Sequence, residues 1–416
     1  MNPRIIENQR RIALELIDRL ATRLTPGRPF LEEIRREFQR RKHFGARDRR
    51  LYRELVFTWL RFRGWFDRVR AAVGDERAAD LLVLLAPDSP EVLPLQTALE
   101  QPGGLARKAG NIVLERLAER IPEVELRLED LLPGWFRSHC PALFEPEEIW
   151  LQTRRPPFWL RAQRGTADEL VHELGREGIR SVASPRLPGA VMLHEYIDFD
   201  NHPLVESGRA EIQDIGSQAL LHMARPLPGE HWLDLCAGGG GKTLQLAAMV
   251  GADGRVTAHD VRRDALMETR RRLNRAGLKN ARIEPVLPEA GFAAFDGVLV
   301  DAPCSASGTW RRHPFLKHQI NPILIKRHAR DQLRILERGA ERVRPGGRLL
   351  YATCSLSRHE NEEVVTAFLK ARGDFHLEKP AWLPKTVEAA EAGWVTLLPS
   401  ALNSDGYFLA CLRRED

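Results

Sequence analysis

Two short stretches of this 416-residue chain carry residues suited to covalent chemistry. Asp301-Ala302-Pro303-Cys304-Ser305 and Thr353-Cys354-Ser355 each close an apolar run of strand length. A thiolate is a potent nucleophile toward electron-poor carbon. If the two strands are neighbours, they lie about 4.8 Å apart, and their thiols flank one small planar ligand. A lone free cysteine is commonly a small buried hydrophobe, which is how Cys140, Cys236 and Cys411 read. Two at equivalent strand ends, where open α/β sheets bind ligands, are harder to assign to packing. The five cysteines are odd in number and never form a C-x-x-C pair. A disulfide framework or zinc site is therefore not expected, no metal is predicted, and a reducing cytoplasm is the expected compartment.

A second constellation is Asp234-Leu235-Cys236-Ala237-Gly238-Gly239-Gly240-Gly241-Lys242-Thr243, which follows an apolar strand and opens a helix. Consecutive glycines let backbone approach a ligand and adopt positive φ. The Walker A spacing fails, because its first glycine position is occupied by Cys236, and G-x-G-x-x-G fails at Thr243. Asp260 closes the next strand, where a carboxylate accepts hydrogen bonds from both hydroxyls of a ribose. Loop and carboxylate together indicate a ribose-bearing cofactor, with NAD and S-adenosylmethionine both open on these residues.

The elements that must position these groups alternate from about residue 210. Strands are predicted over 231–236, 255–260, 282–287, 295–301 and 348–354, the last entered through a Pro345-Gly346-Gly347 turn, with further strands at 394–398 and 407–412. Helices are predicted over 242–249, 262–275, 322–343 and 360–371. Repeated β-α-β units imply an α/β fold with a parallel sheet between helical layers. Residues 4–73 read as helices, with Ile5, Ile12, Leu16 and Leu20 on one stripe and Leu51, Leu55, Val56, Trp59 and Leu60 on another, over 46–73. Between them, after Arg154-Arg155-Pro156-Pro157, strands at 158–162 and 190–193 and a helix at 167–178 suggest a small α+β insert. The predicted division is 1–140, 141–209 and 210–416.

Charge is uneven. The net +6 splits into +10 over residues 1–70, with 19 basic and 9 acidic residues, and −4 over the rest. A basic field attracts phosphate backbones. Arg40, Arg41, Lys42, Arg47, Arg49 and Arg50 are the expected phosphate contacts, with Phe38, Phe44, Tyr52, Trp59, Phe62, Trp65 and Phe66 interspersed. Arg311, Arg312 and His313, close after Cys304, are further candidates for phosphates or a flanking nucleotide. The alternative is a solvated, ion-paired surface. No run of about 18 apolar residues indicates a membrane span, and the polar first residues lack an apolar signal core.

Paired thiols beside a methyl donor suit methylation of carbon 5 of cytosine. That carbon is a poor nucleophile until a thiolate adds to carbon 6 and makes it enamine-like. Asp301, held as the neutral acid, is the candidate to contact ring N3. Enzymes that methylate exocyclic amines carry Asp/Asn-Pro-Pro-aromatic at this strand end, unlike Asp301-Ala302-Pro303-Cys304. At this point the chain resembles the RsmB/NOL1/NOP2/Sun family of RNA cytosine-5 methyltransferases. The resemblance lies in residues 301–309, Arg311-Arg312-His313-Pro314, Tyr351-Ala352-Thr353-Cys354-Ser355, Glu360-Asn361-Glu362, Asp405-Gly406-Tyr407-Phe408 and Gln213-Asp214-Ile215-Gly216-Ser217-Gln218. Arg-Arg-His-Pro is similar to the bacterial RsmB branch, which acts on small-subunit ribosomal RNA. More loosely, residues 48–56 resemble a NusB-like RNA-binding domain.

The resemblance implies a Rossmann-like class I methyltransferase sheet, a helical NusB-like domain and a small α+β linker subdomain. It implies S-adenosylmethionine bound along Cys236, Ala237, Gly238, Gly239, Gly240, Gly241 and Lys242, with its ribose on Asp260. It implies that Cys354 attacks carbon 6, that Cys304 assists release and that Asp301 contacts the base at the cofactor's edge. The partner would be RNA, bound by a monomer. The family's usual Ala-Pro-Gly-Gly-Lys loop is here Gly239-Gly240 before Gly241-Lys242, and Val286-Leu287-Pro288 stands where an adenine-binding Asp is usual, with Glu289 the nearest acid. Two alternatives remain: a transfer-RNA cytosine-5 enzyme, or an RNA-binding ribosome-assembly factor with an inactive methyltransferase domain, which need not bind the cofactor. A DNA enzyme would use the Pro-Cys cysteine as nucleophile, so the Thr-Cys-Ser motif argues against one.

Overall fold

Apolar stripes at helical spacing form the N-terminal half as the sequence predicts. The computed structural model describes the chain apart from residues 1–2, 100–103, 106–107, 196, 288–293 and 388–392, so Pro288 and Glu289 lie outside the described residues. One unit comprises Met1–Arg155 with Thr309–Asn321, the other Pro156–Gly308 with Pro322–Asp416. In the first, helix Pro3–Ala21 buries Ala13, Leu14, Leu16, Ile17 and Leu20. Ile5, expected on that stripe, sits in the first turn and is exposed. Helices Phe30–Arg40, Ala46–Val73 and Asp75–Leu85 follow. Phe38, Phe44, Tyr52, Trp59, Phe62, Trp65 and Phe66 are all buried, so the interspersed aromatics are core and offer no face for stacking bases.

The helix Ala46–Val73 is kinked, with Phe62 at φ −109°, ψ 22°. A break in the ladder leaves carbonyls in need of other donors. They are met by the short helix Leu316–Gln319. Lys317 Nζ donates to the carbonyls of Arg61 at 2.7 Å and Leu131 at 3.0 Å, and His318 Nε2 lies 2.9 Å from that of Leu60. Gln319 Nε2 donates to Thr25 and Arg28 carbonyls. Trp310 packs on Phe136 and Phe315 on Phe30. Residues 309–321, grouped by sequence with the C-terminal domain, thus belong to the helical unit, which also runs past the expected 140 to Arg155. Burial pushes Lys317 down to about 7 and His318 to about 3, favouring their neutral forms.

The second unit contains two sheets. Strands β1 (Phe158–Ala162), β2 (Ser181–Ala183), β3 (Ala190–Leu193) and β4 (Ala210–Ile212) form an antiparallel sheet in the order β2-β3-β1-β4. Helix Ala167–Arg176 packs on it, opened by a capping box between Thr166 and Glu169. Because β4 pairs with β1, this small sheet extends past the predicted boundary at 209.

The larger sheet has strands β5 (His231–Asp234), β6 (Arg255–Ala258), β7 (Ala281–Ile283), β8 (Phe295–Asp301), β9 (Val343–Thr353), β10 (Phe375–Glu378), β11 (Trp394–Leu397) and β12 (Tyr407–Arg414). Its order is β7-β6-β5-β8-β9-β12-β10, and β11 also pairs with β12. Strands β5 to β9 are mutually parallel, whereas β12 runs antiparallel to β9, β10 and β11. Pro345-Gly346-Gly347 does not precede β9 as a turn. The strand begins at Val343, and the register jumps from Phe295 opposite Val343 to Gly297 opposite Arg348, so the three residues form an irregularity inside it. Helices Gly241–Val250, Arg263–Ala276, Pro322–Ala340 and Glu362–Ala371 cover the sheet, with a core on each face. Among the described residues no helix is long and apolar enough to cross a membrane.

The Lys317 contacts lead to a direct expectation. Lys317→Met removes the donor from two buried carbonyls and should destabilise the helical unit by about 2 kcal/mol. Hydrogen exchange at amides 58–66 reads this out, and protection there equal to that of the unaltered chain would contradict it.

Candidate active site

Strand order reverses at β5, whose neighbours are β6 on one side and β8 on the other. In open α/β sheets this reversal opens a crevice beyond the carboxyl ends of the strands. A cavity of about 580 Å³ lies there, within the size range of cofactor sites. Its floor is the glycine loop. Leu235 N donates to Leu299 O on β8 and Ala237 N to His259 O after β6, which pins the loop between the two flanking strands. Gly238 and Gly240 take positive φ, +54° and +86°. Their neighbouring carbonyls turn toward helix Arg263–Ala276, with Gly238 O accepting from Thr269 Oγ1 at 2.9 Å and Gly239 O from Arg272 Nη1 at 2.5 Å.

Of the predicted cofactor residues, Cys236, Ala237, Gly238, Gly239, Gly241, Lys242, Asp260 and Asp301 line this cavity. Gly240 does not. It serves as the left-handed N-cap of helix Gly241–Val250, and a Cβ there would come within 2.8 Å of Thr269. Asp260 Oδ2 accepts from Gly238 N at 2.8 Å and from Arg262 Nη2 at 3.1 Å, while Oδ1 accepts from Arg262 N at 2.8 Å and Nε at 3.1 Å. Burial works against this carboxylate, but the Arg262 and Gly238 hydrogen bonds outweigh it and hold its pKa low.

Sequence reasoning did not place Gln213, Ser217, His259, Val261, Arg262, Ile335 or Arg338 in this cavity, although all line it. Gln213 and Ser217 belong to the 213–218 motif and are bonded to each other at 3.3 Å. The buried Arg161, from β1, donates to Gln213 Oε1 at 2.6 Å and reaches Gly241 O at 3.5 Å. Gly216 of the same motif lies against the Tyr407 ring, where a Cβ would come within 2.6 Å. Two distant motif segments are thereby packed on one another.

The two cysteines meet at the cavity's edge. Asp301 on β8 pairs in register with Ala352 on β9, so Cys304 and Cys354 follow equivalent strand ends. Their Sγ atoms are 3.4 Å apart, in direct contact rather than spaced to sandwich a ring. Gly308 holds the Cys304 loop in place. Its N–H donates to Cys354 O at 2.9 Å, its carbonyl accepts from Gly406 N at 2.8 Å, and a Cβ would strike Gly406 O at 2.1 Å. Ala306 within this loop has φ +54°, a costly conformation for a residue with a Cβ. The hydrogen bond to Cys354, together with burial, pushes the Cys304 thiol far above its ordinary value, and either sulfur can be the donor in their contact.

Lys242 and Asp301 form an ion pair at 2.7 Å. Burial disfavours the ammonium, but Asp301 more than offsets this, and the Lys242 pKa is raised. Lys242, expected along the cofactor, is thus also the side chain that orients Asp301 at the cavity wall.

The expected phosphate contacts divide. Arg40, Lys42 and Arg47 are exposed. Arg41 and Arg40 pair with the buried Glu37, and Arg50 with Glu91. Arg49 spends its guanidinium on the Phe38, Phe44 and Arg41 carbonyls. Arg311 is buried and reaches Arg154 O at 3.4 Å, and Arg312 and His313 are half-buried. Among the described residues no group of three His, Cys, Asp or Glu could hold a metal ion.

Sheet order, glycine loop and carboxylate after β6 define a class I methyltransferase fold. Residues 221–413 match the family model described as 16S rRNA methyltransferase RsmB/F, and this region falls in that family. It is 34% identical to "Ribosomal RNA small subunit methyltransferase B" of Enterobacter sp. (strain 638), over 63% of this chain and 61% of that protein. It is also 34% identical to the protein of the same name from Cronobacter sakazakii, over 68% and 66%. The chain thus spans just under two thirds of the length of these curated relatives. Among solved structures, a methyltransferase homologue from Pyrococcus horikoshii is 26% identical with a TM-score of 0.56, covering 73% of this chain and 99% of that one. PH0851, 24% identical with a TM-score of 0.69, covers 98% of both and shares the fold.

Asp234, beneath the loop, provides a test of these electrostatics. It is buried, accepts from Thr243 Oγ1 at 2.7 Å, and burial pushes its pKa up to about 7. The folded value lies above the unfolded one, so the folded state binds the proton more tightly. Stability should therefore fall as pH rises from about 4 through about 7. Asp234→Asn keeps the acceptor for Thr243 and should flatten that fall by roughly 1–2 kcal/mol. Thermal unfolding at about pH 5 and about pH 8 measures it, and equal pH dependence in both proteins would refute the assignment.

Proposed function

We propose that this protein transfers a methyl group from S-adenosylmethionine to carbon 5 of a cytosine in ribosomal RNA, through a transient bond between Cys354 and carbon 6. The observation that carries the reading is the 3.4 Å contact of two sulfurs at the ends of adjacent parallel strands, with Cys304 lining the cofactor cavity. The name shared by the curated relatives, ribosomal RNA small subunit methyltransferase B, supports ribosomal RNA as substrate.

In this reading the cofactor supplies an electrophilic methyl group. The glycine loop would hold it, and Asp260 would accept from its ribose hydroxyls in exchange for the Arg262 guanidinium. Asp301, oriented by Lys242, contacts the hydrogen-bonding edge of the base. The Cys354 thiolate would add to carbon 6 and leave carbon 5 nucleophilic enough to take the methyl group that the bound cofactor would supply. Cys304 assists the last step, in which the carbon 5 proton leaves and the Cys354–carbon 6 bond opens to restore the ring and the thiolate. A base must leave its stack, or be single-stranded already, to reach strand ends in this way. Arg40, Lys42, Arg47 and Arg50 are the exposed members of the proposed phosphate-binding set on the helical unit, Arg50 paired with Glu91.

Cys354→Ala should abolish 5-methylcytosine formation, read by bisulfite sequencing of ribosomal RNA from cells with and without the protein, and full retained methylation would end the assignment. Cys304→Ala should accumulate a covalent protein–RNA species on a denaturing gel. Slow turnover without such a species would remove Cys304 from the release step. Asp260→Ala should weaken S-adenosylmethionine binding by about 10- to 100-fold in calorimetry, the loss of one or two hydrogen bonds to a charged acceptor. Unchanged affinity would place the ribose elsewhere.

A further inference from the structure

Each catalytic cysteine is followed by a serine, and both serines bind the same carboxylate. Glu360 is fully buried. Its Oε1 accepts from Ser305 N at 2.7 Å and Gln332 Nε2 at 3.1 Å, and its Oε2 accepts from Ser305 Oγ at 2.5 Å and Ser355 Oγ at 2.6 Å. All four donors are neutral. The Glu360 main-chain carbonyl is held by the hydroxyl of Tyr351, on the strand that leads to Cys354. Ser307 extends the tie, lying 3.0 Å from Ser355 Oγ and accepting from Leu356 N at 2.9 Å. Gln332 also donates to Pro303 O, one residue before Cys304.

A buried carboxylate without a cation is costly. The groups facing the sulfurs are of opposite sign. The Cys304 proton is held chiefly by the hydrogen bond to Cys354 and by burial, with Cys354 and then Glu360 adding electrostatically and the Ala306 N–H opposing. Tyr351, also within this field, is itself held protonated by burial and Glu360. The Lys242 ammonium, paired with Asp301, interacts with Cys354. We propose that Glu360 is the positioning residue that makes the two sulfurs unequal: it locks the Cys304 and Cys354 loops together through Ser305 and Ser355, and so fixes which of the two touching sulfurs is presented for attack. This rests on the cytosine-5 reading for its purpose, but not for its test.

The test is the pH profile of alkylation of the intact chain by iodoacetamide, with Cys304 and Cys354 followed separately by peptide mass spectrometry. Cys354 should react at least about tenfold faster than Cys304 near pH 8, tenfold being the effect of one pKa unit. In Glu360→Gln, which keeps the shape but loses the charge and one accepting oxygen, the Cys304 profile should move to lower pH and the ratio should shrink about tenfold, with the thermal unfolding transition retained. A folded Glu360→Gln protein with the ratio and both profiles unchanged overturns the proposal. Should that variant fail to fold, Ser305→Ala removes one tie while leaving the charge in place, and the ratio should shrink in the same sense. An unchanged ratio there overturns it equally. Absence of 5-methylcytosine activity in the unaltered protein would instead defeat the functional reading and leave the alkylation result standing.

Discussion

Strands β8 and β9 lie side by side and parallel, and the geometry of the site depends on that pairing. Their register sets Asp301 opposite Ala352, and the chain leaves both strands at the same level of the sheet. Two cysteines some fifty residues apart in sequence therefore emerge as neighbours. A one-residue slip would turn every side chain of a strand to the other face. The register is guarded by apolar burial on both faces, with Val298, Leu299, Val300, Leu349, Leu350 and Tyr351 all inaccessible to solvent. The adjoining antiparallel strand β12 then brings Gly406 against Gly308, which leaves the Cys304 loop little freedom.

Around this pair the protein maintains several buried charges, each handled differently. Asp234 is pushed toward its neutral form by burial. Lys242 and Asp301 neutralise one another at the cavity wall. Glu360 is surrounded by neutral donors and keeps its negative field close to Cys304. Buried ionisable groups of this kind collect where chemistry is done, because packing alone would be better served by apolar residues. Asp260 is different again: its oxygens are occupied by Arg262, whose side chain is largely exposed and free to exchange for a ligand at modest cost.

The helical unit shows how misleading composition is without contacts. Its aromatics are core, and much of its positive charge is engaged in ion pairs and carbonyl contacts. Arg19, Arg23, Arg40 and Arg41 all lie within ion-pair distance of the single buried Glu37. Arg49 satisfies three carbonyls at the turn between helices. Segment 309–321 follows the Cys304 loop in sequence, yet its side chains serve as hydrogen-bond donors for a kinked helix near residue 62.

Periodicity and local chemistry were enough, from sequence alone, to predict the alternating β-α elements, the 46–73 helix, the glycine loop, the carboxylate after β6 and the two cysteines at strand ends. These are local properties: side-chain spacing follows the 3.6- and 2-residue repeats, and glycine permits backbone that other residues resist. Strand order, register and the grouping of distant segments were decided only by tertiary structure, because they depend on contacts between residues far apart in the chain. Hence the short strands β2, β4 and β10 went unrecognised, being three or four residues each with weak alternation. Hence also the Lys242–Asp301 pair, the Arg262 cover on Asp260 and the Glu360 tie were invisible beforehand, since each joins side chains whose proximity only the folded sheet creates.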